Sequence, residues 1–202
     1  MTTGQAPVPQ QLHMIWPQTR PQGPASFPVP DGYTLRPIGE GETAAYVRLM
    51  QRAGFTNWDE TKAQAVFNTM YSDALFMIVH DATGNLVSTA VAQNHPIEHH
   101  PGGGEMGWVA TDPDHRGKGL SYIAVSLATR RLLAEGHASV YLRTDDVRLP
   151  AIRVYLKLGY VPFLYLPDMA QRWQAVCTAL GVNYAGIQTT ADPAGRDVTS
   201  TM

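Results

Sequence analysis

The sequence predicts an α/β fold in which a mixed, mostly antiparallel sheet carries helices on both faces. The first observation is the order of the hydrophobic patterns, which is β-α-α-β-β-β-α-β-α-β over residues 33–164. The second is an antiparallel hairpin, because a turn at residues 81–85 joins two apolar runs. The third is a strand-helix-strand unit over residues 105–144, whose crossover makes its two strands parallel.

The first part of this pattern predicts one strand and two helices. Residues 33–38 form a short strand that Pro37 closes, and residues 41–43 open the first helix. Asn57 or Asp59 can cap the second helix. The apolar stripe of that helix, spaced by three and four residues, consists of Ala63, Val66, Phe67 and Met70.

The middle part predicts three further strands. Residues 75–79 and 86–92 are the two strands of the hairpin, since both runs are rich in apolar and β-branched residues. A loop at residues 95–104 contains prolines and glycines, and it leads to a strand at residues 105–111.

The last part of the pattern alternates helices and strands. Residues 120–135 have a broad apolar face, which is typical of a buried helix of about four turns. A strand at 138–144, a helix at 150–158 and a strand at 160–164 follow. The helices between the strands therefore have to cover both faces of the sheet.

Composition predicts one globular domain with tails. The chain has 202 residues, 44% of them hydrophobic and 16% charged, and the usual domain has about 100–150. A formal net charge of −2 gives no basic field, so we expect no nucleic-acid partner. The single cysteine, Cys177, excludes an intrachain disulfide. We expect a cytoplasmic protein without membrane contact, because residues 1–12 lack a signal-peptide pattern and no apolar run reaches ~18 residues.

The two ends of the chain are expected to lie outside the domain at residues 31–165. Seven prolines in residues 1–30 predict an extended arm with neither helix nor central strand. The apolar cluster at residues 12–16 within it should dock on its own domain or on a partner. Residues 166–185 predict an amphipathic helix that packs on the domain, forms a dimer contact or acts as a lid, and residues 186–202 predict a disordered tail.

A glycine-punctuated loop between the strand at 105–111 and the helix at 120–135 predicts an anion site. The backbone amides of residues 116–120 can point at one spot at the start of that helix. Gly117 and Gly119 permit positive φ and a close approach of the backbone. Arg116 and Lys118 add positive charge, so the pattern favours a phosphate-bearing ligand.

The histidine-rich loop at residues 95–104 contains candidate metal ligands. His95, Glu98, His99 and His100 carry imidazole and carboxylate groups that bind zinc. Two of the histidines are adjacent, no cysteine joins them, and the loop is pliable. The sequence therefore predicts a solvated loop that borders the substrate cleft, and no metal.

Two segments together resemble the signatures of the GNAT superfamily of acyl-CoA-dependent N-acetyltransferases. Residues 105–120 are similar to its acyl-CoA motif, whose core pattern is Arg/Gln-x-x-Gly-x-Gly/Ala. Residues 151–160 resemble its second signature, Ala-x-x-x-Tyr-x-x-x-Gly-Phe/Tyr. The resemblance spans about residues 33–164 and implies the acyl-CoA N-acyltransferase fold, in which the parallel strand pair splays apart. It also implies acetyl-CoA as the acyl donor.

The resemblance also assigns the residues that bind the cofactor. The main chain of residues 109–111 would contact the pantetheine arm, and residues 116–121 would hold the pyrophosphate. Arg148, Arg153 and Lys157 are candidates for the adenosine 3′-phosphate, the alternative being solvated helix charges. Ser121 and Arg148 depart from the family pattern, which prefers Gly or Ala and often Asn there. The expected cofactor-binding set is Val109, Ala110, Thr111, Arg116, Gly117, Lys118, Gly119, Leu120, Ser121 and Arg148.

Two residues match catalytic positions of the family. Glu105 would be the general base that takes a proton from the amine, the alternative being an exposed carboxylate at a strand end. Tyr155 would be the general acid that protonates the leaving thiolate, the alternative being a core tyrosine. A backbone amide near Val109 or Ala110 would stabilise the oxyanion.

These expectations combine into an enzyme that moves an acetyl group from acetyl-CoA to the primary amine of a small molecule. The alternatives are a protein N-terminal or lysine acetyltransferase and a non-catalytic acyl-CoA sensor or interaction protein. A homodimer could form through the C-terminal helix or the N-terminal arm. The sequence contains no motif that identifies the acceptor.

Overall fold

The computed structural model describes residues 10–191, which form eight strands and five α-helices. The strands are β1 (Leu12–Ile15), β2 (Tyr33–Pro37), β3 (Met70–His80), β4 (Asn85–Asn94), β5 (Gly103–Thr111), β6 (Ser139–Thr144), β7 (Val161–Leu164) and β8 (Thr190–Ala191). The helices are α1 (Thr43–Arg52), α2 (Glu60–Phe67), α3 (Leu120–Ala134), α4 (Leu149–Leu158) and α5 (Met169–Leu180). Within this part of the chain, no helix is long and apolar enough to cross a membrane.

All eight strands lie in one mixed sheet with the order β2-β3-β4-β5-β6-β1-β7-β8. The pairs β5–β6 and β7–β8 are parallel, and the other neighbours are antiparallel. The predicted mixed sheet is therefore confirmed. Three strands are longer than predicted, since β3 begins at Met70, β4 runs from Asn85 to Asn94 and β5 begins at Gly103.

Helices cover the sheet on both faces and create two hydrophobic cores. The first core lies under α3, α4 and α5, and it includes Met14, Met106 and Leu142. The second core lies under α1 and α2, and it includes Trp58 and Ala110. Because successive side chains of a strand point to opposite faces, strands β3, β4 and β5 contribute to both cores. The two faces of the sheet thus have separate helical covers.

The prediction that residues 1–30 contain no central strand is wrong, because β1 is one. Residues 12–15 lie between β6 and β7 and are antiparallel to both. The side chains of Leu12 and Met14 are fully buried in the first core. The prolines flank this segment and do not interrupt it, so its amides can donate to both neighbours. The apolar cluster packs into its own domain, and residues 1–9 lie outside the described part of the chain.

The parallel pair β5–β6 splays apart soon after it begins. Gly103, Gly104 and Glu105 pair with residues 139–141, and β5 then continues alone alongside β4 as far as Thr111. This is the separation that the family resemblance implies. Since the two strands diverge, a gap opens in the middle of the sheet, and both cavities described below lie along it.

The C-terminal helix α5 packs against its own domain. Its stripe of Met169, Trp173, Val176 and Leu180 is buried in the first core. Residues 190–191 pair with β7, so the chain still belongs to the sheet where a disordered tail is expected. The remainder of that predicted tail, residues 192–202, lies outside the described residues.

Candidate active site

The glycine loop is held in place by an ion pair with helix α1. Asp112 accepts hydrogen bonds from Arg52 Nε at 2.6 Å and Arg52 Nη2 at 2.9 Å. The same carboxylate accepts the backbone N–H of Asp114 at 3.0 Å and so caps the short 3₁₀ turn Pro113–His115. The bond with the Arg52 guanidinium also lowers the pKa of Asp112. The contacts of Asp112 with Arg52 and Asp114 therefore hold the first residues of the loop in place.

Two glycines then change the direction of the chain just before helix α3 begins. Gly117 has a φ of +79° and Gly119 a φ of +76°, and a Cβ atom on either would have no heavy atom within 4 Å. Glycine is thus needed here for backbone conformation and leaves open space beside the loop. Gly119 is the N-cap of α3, whose first amides have no partner within the helix. These amides form an anion cradle at a helix N-terminus.

A cavity of about 550 Å³ lies beside this cradle. It is called the large cavity to distinguish it from the smaller cavity at Glu105. It brings together nine of the ten residues that the sequence assigns to the cofactor. These are Val109, Ala110, Thr111, Arg116, Gly117, Gly119, Leu120, Ser121 and Arg148. Tyr122 and Val154, which were not predicted, also line it.

Lys118 is the predicted cofactor residue that the structure places elsewhere. Its Nζ donates to the hydroxyl of Tyr33 at 2.8 Å, and it does not line the large cavity. Tyr33 also hydrogen-bonds His115 Nδ1 at 2.9 Å. Burial, and then the charges of His80 and Lys118, lower the pKa of His115. Lys118 is therefore tied to the outside of the loop.

The structure does not bring the three candidates for binding the 3′-phosphate together. Arg148 lines the large cavity, lies 4.5 Å above the centre of the Phe55 ring and donates from Nε to Asp145 at 3.0 Å. Arg153 and Lys157 line a different cavity of about 610 Å³. Arg153 also donates to the carbonyl oxygen of Leu180 at 2.8 Å. Of the three, Arg148 alone is at the predicted site.

Glu105 lines a second, smaller cavity of about 120 Å³, the small cavity, at the gap between β5 and β6. The residue is 7% exposed, so the alternative of an exposed strand-end carboxylate does not hold. Its oxygens accept from Arg143 Nε at 2.8 Å and Arg143 Nη2 at 3.0 Å. His95 Nδ1 lies 3.1 Å from Glu105 Oε2. Hydrogen bonding to Glu105 raises the pKa of the Arg143 guanidinium.

Tyr155 lines both cavities. It extends from α4 in the first core, on the face of the sheet opposite to Glu105. The two cavities share five lining residues, which are Phe55, Val109, Arg148, Ala151 and Tyr155. Burial raises the pKa of the Tyr155 phenol above its ordinary range. The gap thus connects the anion cradle on one side with the Glu105 carboxylate on the other, and the Tyr155 phenol lies between them.

A β-bulge marks the part of β5 that borders both cavities. Thr89 pairs with Ala110 and Val91 with Gly107, so Trp108 and Val109 together oppose one residue of β4. The extra residue of a bulge leaves the ladder locally unpaired. A backbone amide at Val109 is therefore placed where it can face a ligand in the gap. Trp108 has a φ of +50°, which is rare for a residue with a Cβ.

The histidine-rich loop is more buried than predicted. His100 is 2% exposed, stacks on Tyr141 with ring centres 4.0 Å apart, and hydrogen-bonds the hydroxyl of Ser139 at 3.0 Å. His13 of β1 lies 3.2 Å from His100 between ring nitrogens. Burial, and then the neighbouring His100 and Arg143, lower the pKa of His13 to about 3. These imidazoles pack the face of the sheet, and among the described residues no group of three metal-binding side chains is arranged so that it could hold a metal ion.

Sequence reasoning missed several residues of the small cavity, among them Phe55, Trp108 and Arg143. Arg143 carries a detectable signal, because charge is unusual in the strand at 138–144 and alternation puts it on the face opposite to Leu142. Phe55 and Trp108 carry no such sequence signal, since a single aromatic residue near the end of a helix or in a strand usually belongs to a core.

Comparison with known proteins points to one family. The model of the acetyltransferase (GNAT) family matches residues 43–160. A mycothiol acetyltransferase of Pseudarthrobacter chlorophenolicus is 28% identical over 171 residues, covering 78% of this chain and 51% of that protein. A mycothiol acetyltransferase of Thermomonospora curvata is 27% identical over 143 residues, covering 67% and 46%. The chain spans about half the length of these curated relatives.

Solved structures are similar in fold. A GCN5-related N-acetyltransferase from Sphaerobacter thermophilus superposes with a TM-score of 0.59 at 20% identity, over 75% of this chain and 47% of that one. A tandem GNAT protein from the clavulanic acid biosynthesis pathway gives 0.59 at 19% identity, over 78% and 51%. The NatC complex bound to Gag peptide and CoA gives 0.55 at 18% identity, over 63% and 83%.

Proposed function

We propose that this chain, which belongs to the acetyltransferase (GNAT) family, transfers an acetyl group from acetyl-CoA to the primary amine of a small molecule. Family membership confirms the resemblance that the two sequence signatures indicate. The observation that carries the proposal is the meeting of the two cavities at Tyr155 and Val109. One cavity contains an anion cradle and the other a carboxylate, so a donor and an amine can approach from opposite faces of the sheet.

The donor fits the large cavity by the chemistry of its lining. A pyrophosphate needs several N–H donors and positive charge, and the amides of residues 117–120 together with the side chain of Arg116 supply both, whereas the Arg116 amide already donates to the carbonyl oxygen of Pro113. The open space beside Gly117 and Gly119 leaves room for the phosphates. Residues 109–111 border the gap with main-chain groups that an extended pantetheine arm can pair with, as a peptide pairs with a sheet edge. Acetyl-CoA supplies the activated acetyl group as a thioester.

In the proposed direct transfer, the amine nitrogen attacks the thioester carbonyl carbon and the carbon–sulfur bond breaks. Glu105 accepts the proton that the amine loses, directly or through a water. The backbone N–H of Val109 or Ala110 donates to the carbonyl oxygen while negative charge develops there. Tyr155 protonates the departing thiolate, and its raised pKa keeps the phenol protonated until that step.

The charges around the small cavity favour a small amine over a basic peptide. Arg143 pairs with Glu105, and Arg148 pairs with Asp145 at 3.0 Å. These paired charges leave no strongly acidic surface for a lysine-rich substrate to follow. The curated relatives are named for mycothiol, which is itself a small molecule. Both observations support the proposed substrate class over protein acetylation.

The test is a binding and turnover experiment with the full chain. Acetyl-CoA should raise the melting temperature, and a panel of primary amines should release CoA and give acetylated products by mass spectrometry. If acetyl-CoA does not bind and no amine releases CoA, the proposal is refuted. Binding without release for any amine would support the sensor alternative. In that case Tyr155→Phe and Glu105→Gln would keep the biological role, which Gly119→Trp would abolish by blocking the cradle.

A further inference from the structure

From the floor of the small cavity we infer a subsite for an aromatic ring, so that the preferred acceptor is a primary amine joined to such a ring by a short spacer. The subsite consists of Gly107, Trp108 and Phe55, next to Glu105. The inference rests on the proposed acetyl transfer and adds the class of acceptor. Three independent features of these residues support it.

Gly107 leaves the floor of the cavity open without a structural need for glycine. A Cβ atom there would meet only Gln93 Oε1 at 3.5 Å and Glu105 carbons at 3.9 Å, which are ordinary contacts. The φ of Gly107 lies outside the left-handed region that favours glycine. Neither backbone conformation nor close packing explains this glycine, whereas the space above it suits a ligand.

The bulge turns Trp108 onto the same face as Gly107. The indole of Trp108 contacts Trp58 of the second core with ring centres 4.4 Å apart, whereas Val109 packs against the first core. Two successive residues of β5 therefore face the acceptor side, which a regular strand does not allow. The φ of +50° at Trp108 is part of this arrangement. Unusual backbone conformations of this kind concentrate at functional sites.

An apolar aromatic surface remains accessible at this point. Trp108 is 37% exposed although its neighbour Trp58 is 4% exposed. Phe55 lies edge-on to Trp108 with ring centres 6.2 Å apart and also lines the cavity. Arg148 lies over the Phe55 ring at 4.5 Å and closes that side. A ring inserted here would contact the indole and the Phe55 ring in edge or offset geometry.

The spacing along β5 sets the distance between amine and ring. Glu105 and Trp108 are three residues apart, and a strand advances about 3.3 Å per residue, so their Cα atoms are at most about 10 Å apart. An amine that contacts Glu105 can therefore place a ring against Trp108 when only a few atoms separate the two. Gly107, between them, leaves the path for this spacer open.

The first experiment compares matched amines with the wild-type chain. Initial rates of CoA release are measured for 2-phenylethylamine and tryptamine and for the ring-free amines butylamine and ethanolamine. We expect kcat/KM to be about tenfold higher or more for the aromatic amines, which corresponds to one favourable aromatic contact. Equal values, or a preference for the ring-free amines, would overturn the inference.

The second experiment changes the proposed subsite. Trp108→Gly removes the ring and accepts the positive φ, and it should raise KM for the aromatic amines about tenfold without changing KM for acetyl-CoA. Trp108→Phe should restore most of the preference. Gly107→Val should raise the same KM with little change in melting temperature. Phe27→Ala removes an aromatic of similar exposure, 39%, that lines neither cavity and contacts Tyr122, so it should leave the preference between the amines unchanged.

The outcomes separate this inference from the proposed function. Failure of every amine, with or without a ring, would contradict the acetyl transfer itself. Turnover with a preference that survives in Trp108→Gly would retain the acetyl transfer and refute the subsite. A preference for peptides with an aromatic first residue over free aromatic amines would likewise refute a small-molecule acceptor.

Discussion

Arg143 and Glu105 form a two-point ion pair across the gap where strands β6 and β5 part, with Nε–Oε1 at 2.8 Å and Nη2–Oε2 at 3.0 Å. The backbone pairing of these strands ends at Glu105 and Tyr141, two residues before Arg143. A side-chain contact therefore links the strands where their backbone hydrogen bonds stop. It also orients the carboxylate at the edge of the small cavity.

Replacing Arg143 with Ala should lower the free energy of unfolding by about 1–2 kcal/mol, because the carboxylate of Glu105 stays buried without its main partner. The value is modest because the Arg143 side chain is 33% exposed. Urea denaturation of R143A, E105Q and the double variant measures the coupling. Strictly additive losses would show that the pair contributes no coupling energy.

Replacing Tyr155 with Phe should lower kcat by about 10²–10⁴-fold and leave KM for acetyl-CoA unchanged, because only the protonation of the thiolate is lost. Tyr160→Phe is the control, since this neighbouring buried tyrosine hydrogen-bonds Thr129 at 2.8 Å and lines neither cavity. That variant should lose about 1 kcal/mol of stability and little activity.

The raised pKa of Tyr155 also predicts a pH profile. A raised pKa means that the phenol keeps its proton to a higher pH than an exposed tyrosine, whose pKa is about 10. The value of kcat should therefore not fall between pH 7 and about pH 10 through ionisation of this residue. A falling limb in that range that disappears in Tyr155→Phe would contradict the burial of the acid.

Gly119→Ala should reduce stability by about 1–2 kcal/mol, because a residue with a Cβ must adopt φ of +76°. It should also weaken acetyl-CoA binding, since the cradle amides shift. Gly84→Ala is the matched control, because Gly84 has a similar φ of +69° in the hairpin turn, equally free of neighbours and outside both cavities. It should lose comparable stability and retain full affinity by calorimetry.

Low pH should weaken the ion pair between Asp112 and Arg52 that holds the glycine loop. Arg52 lowers the pKa of Asp112 in the folded state, so the folded chain binds fewer protons there than the unfolded chain. This contribution to stability is fully present above the unfolded pKa of about 3.9 and is lost as pH falls through the folded value. Asp112→Asn should lack this part of the acid dependence in denaturation measured from pH 7 to about pH 2. An unchanged acid profile would contradict the assigned role.

Met14→Ala should cost about 2–5 kcal/mol, because the side chain is fully buried in the first core. A loss of this size is expected of a central strand and not of a peripheral arm. Phe27→Ala, also in the proline-rich region but 39% exposed, should cost less than about 1 kcal/mol. Similar small losses for both would refute the central position of β1 in solution.

The elements that depend on local physics could be predicted from the amino-acid sequence. Hydrophobic periods of two and of three to four residues predict the strands and helices of residues 33–164, because each pattern suits one backbone geometry. The glycine loop before α3 needs only neighbouring residues, so its cradle could be predicted. Nine of ten predicted cofactor residues consequently line one cavity.

Features that depend on partners distant in the chain became visible only in the folded structure. β1 lies between β6 and β7, more than 120 residues away, although the prolines around it suggest an arm. The Glu105–Arg143 pair joins residues 38 positions apart. The bulge that turns Trp108 toward the acceptor side depends on the register between β4 and β5. Register and strand order follow from the burial of whole faces, which no local pattern specifies, so the anion cradle could be predicted and the surroundings of Glu105 could not.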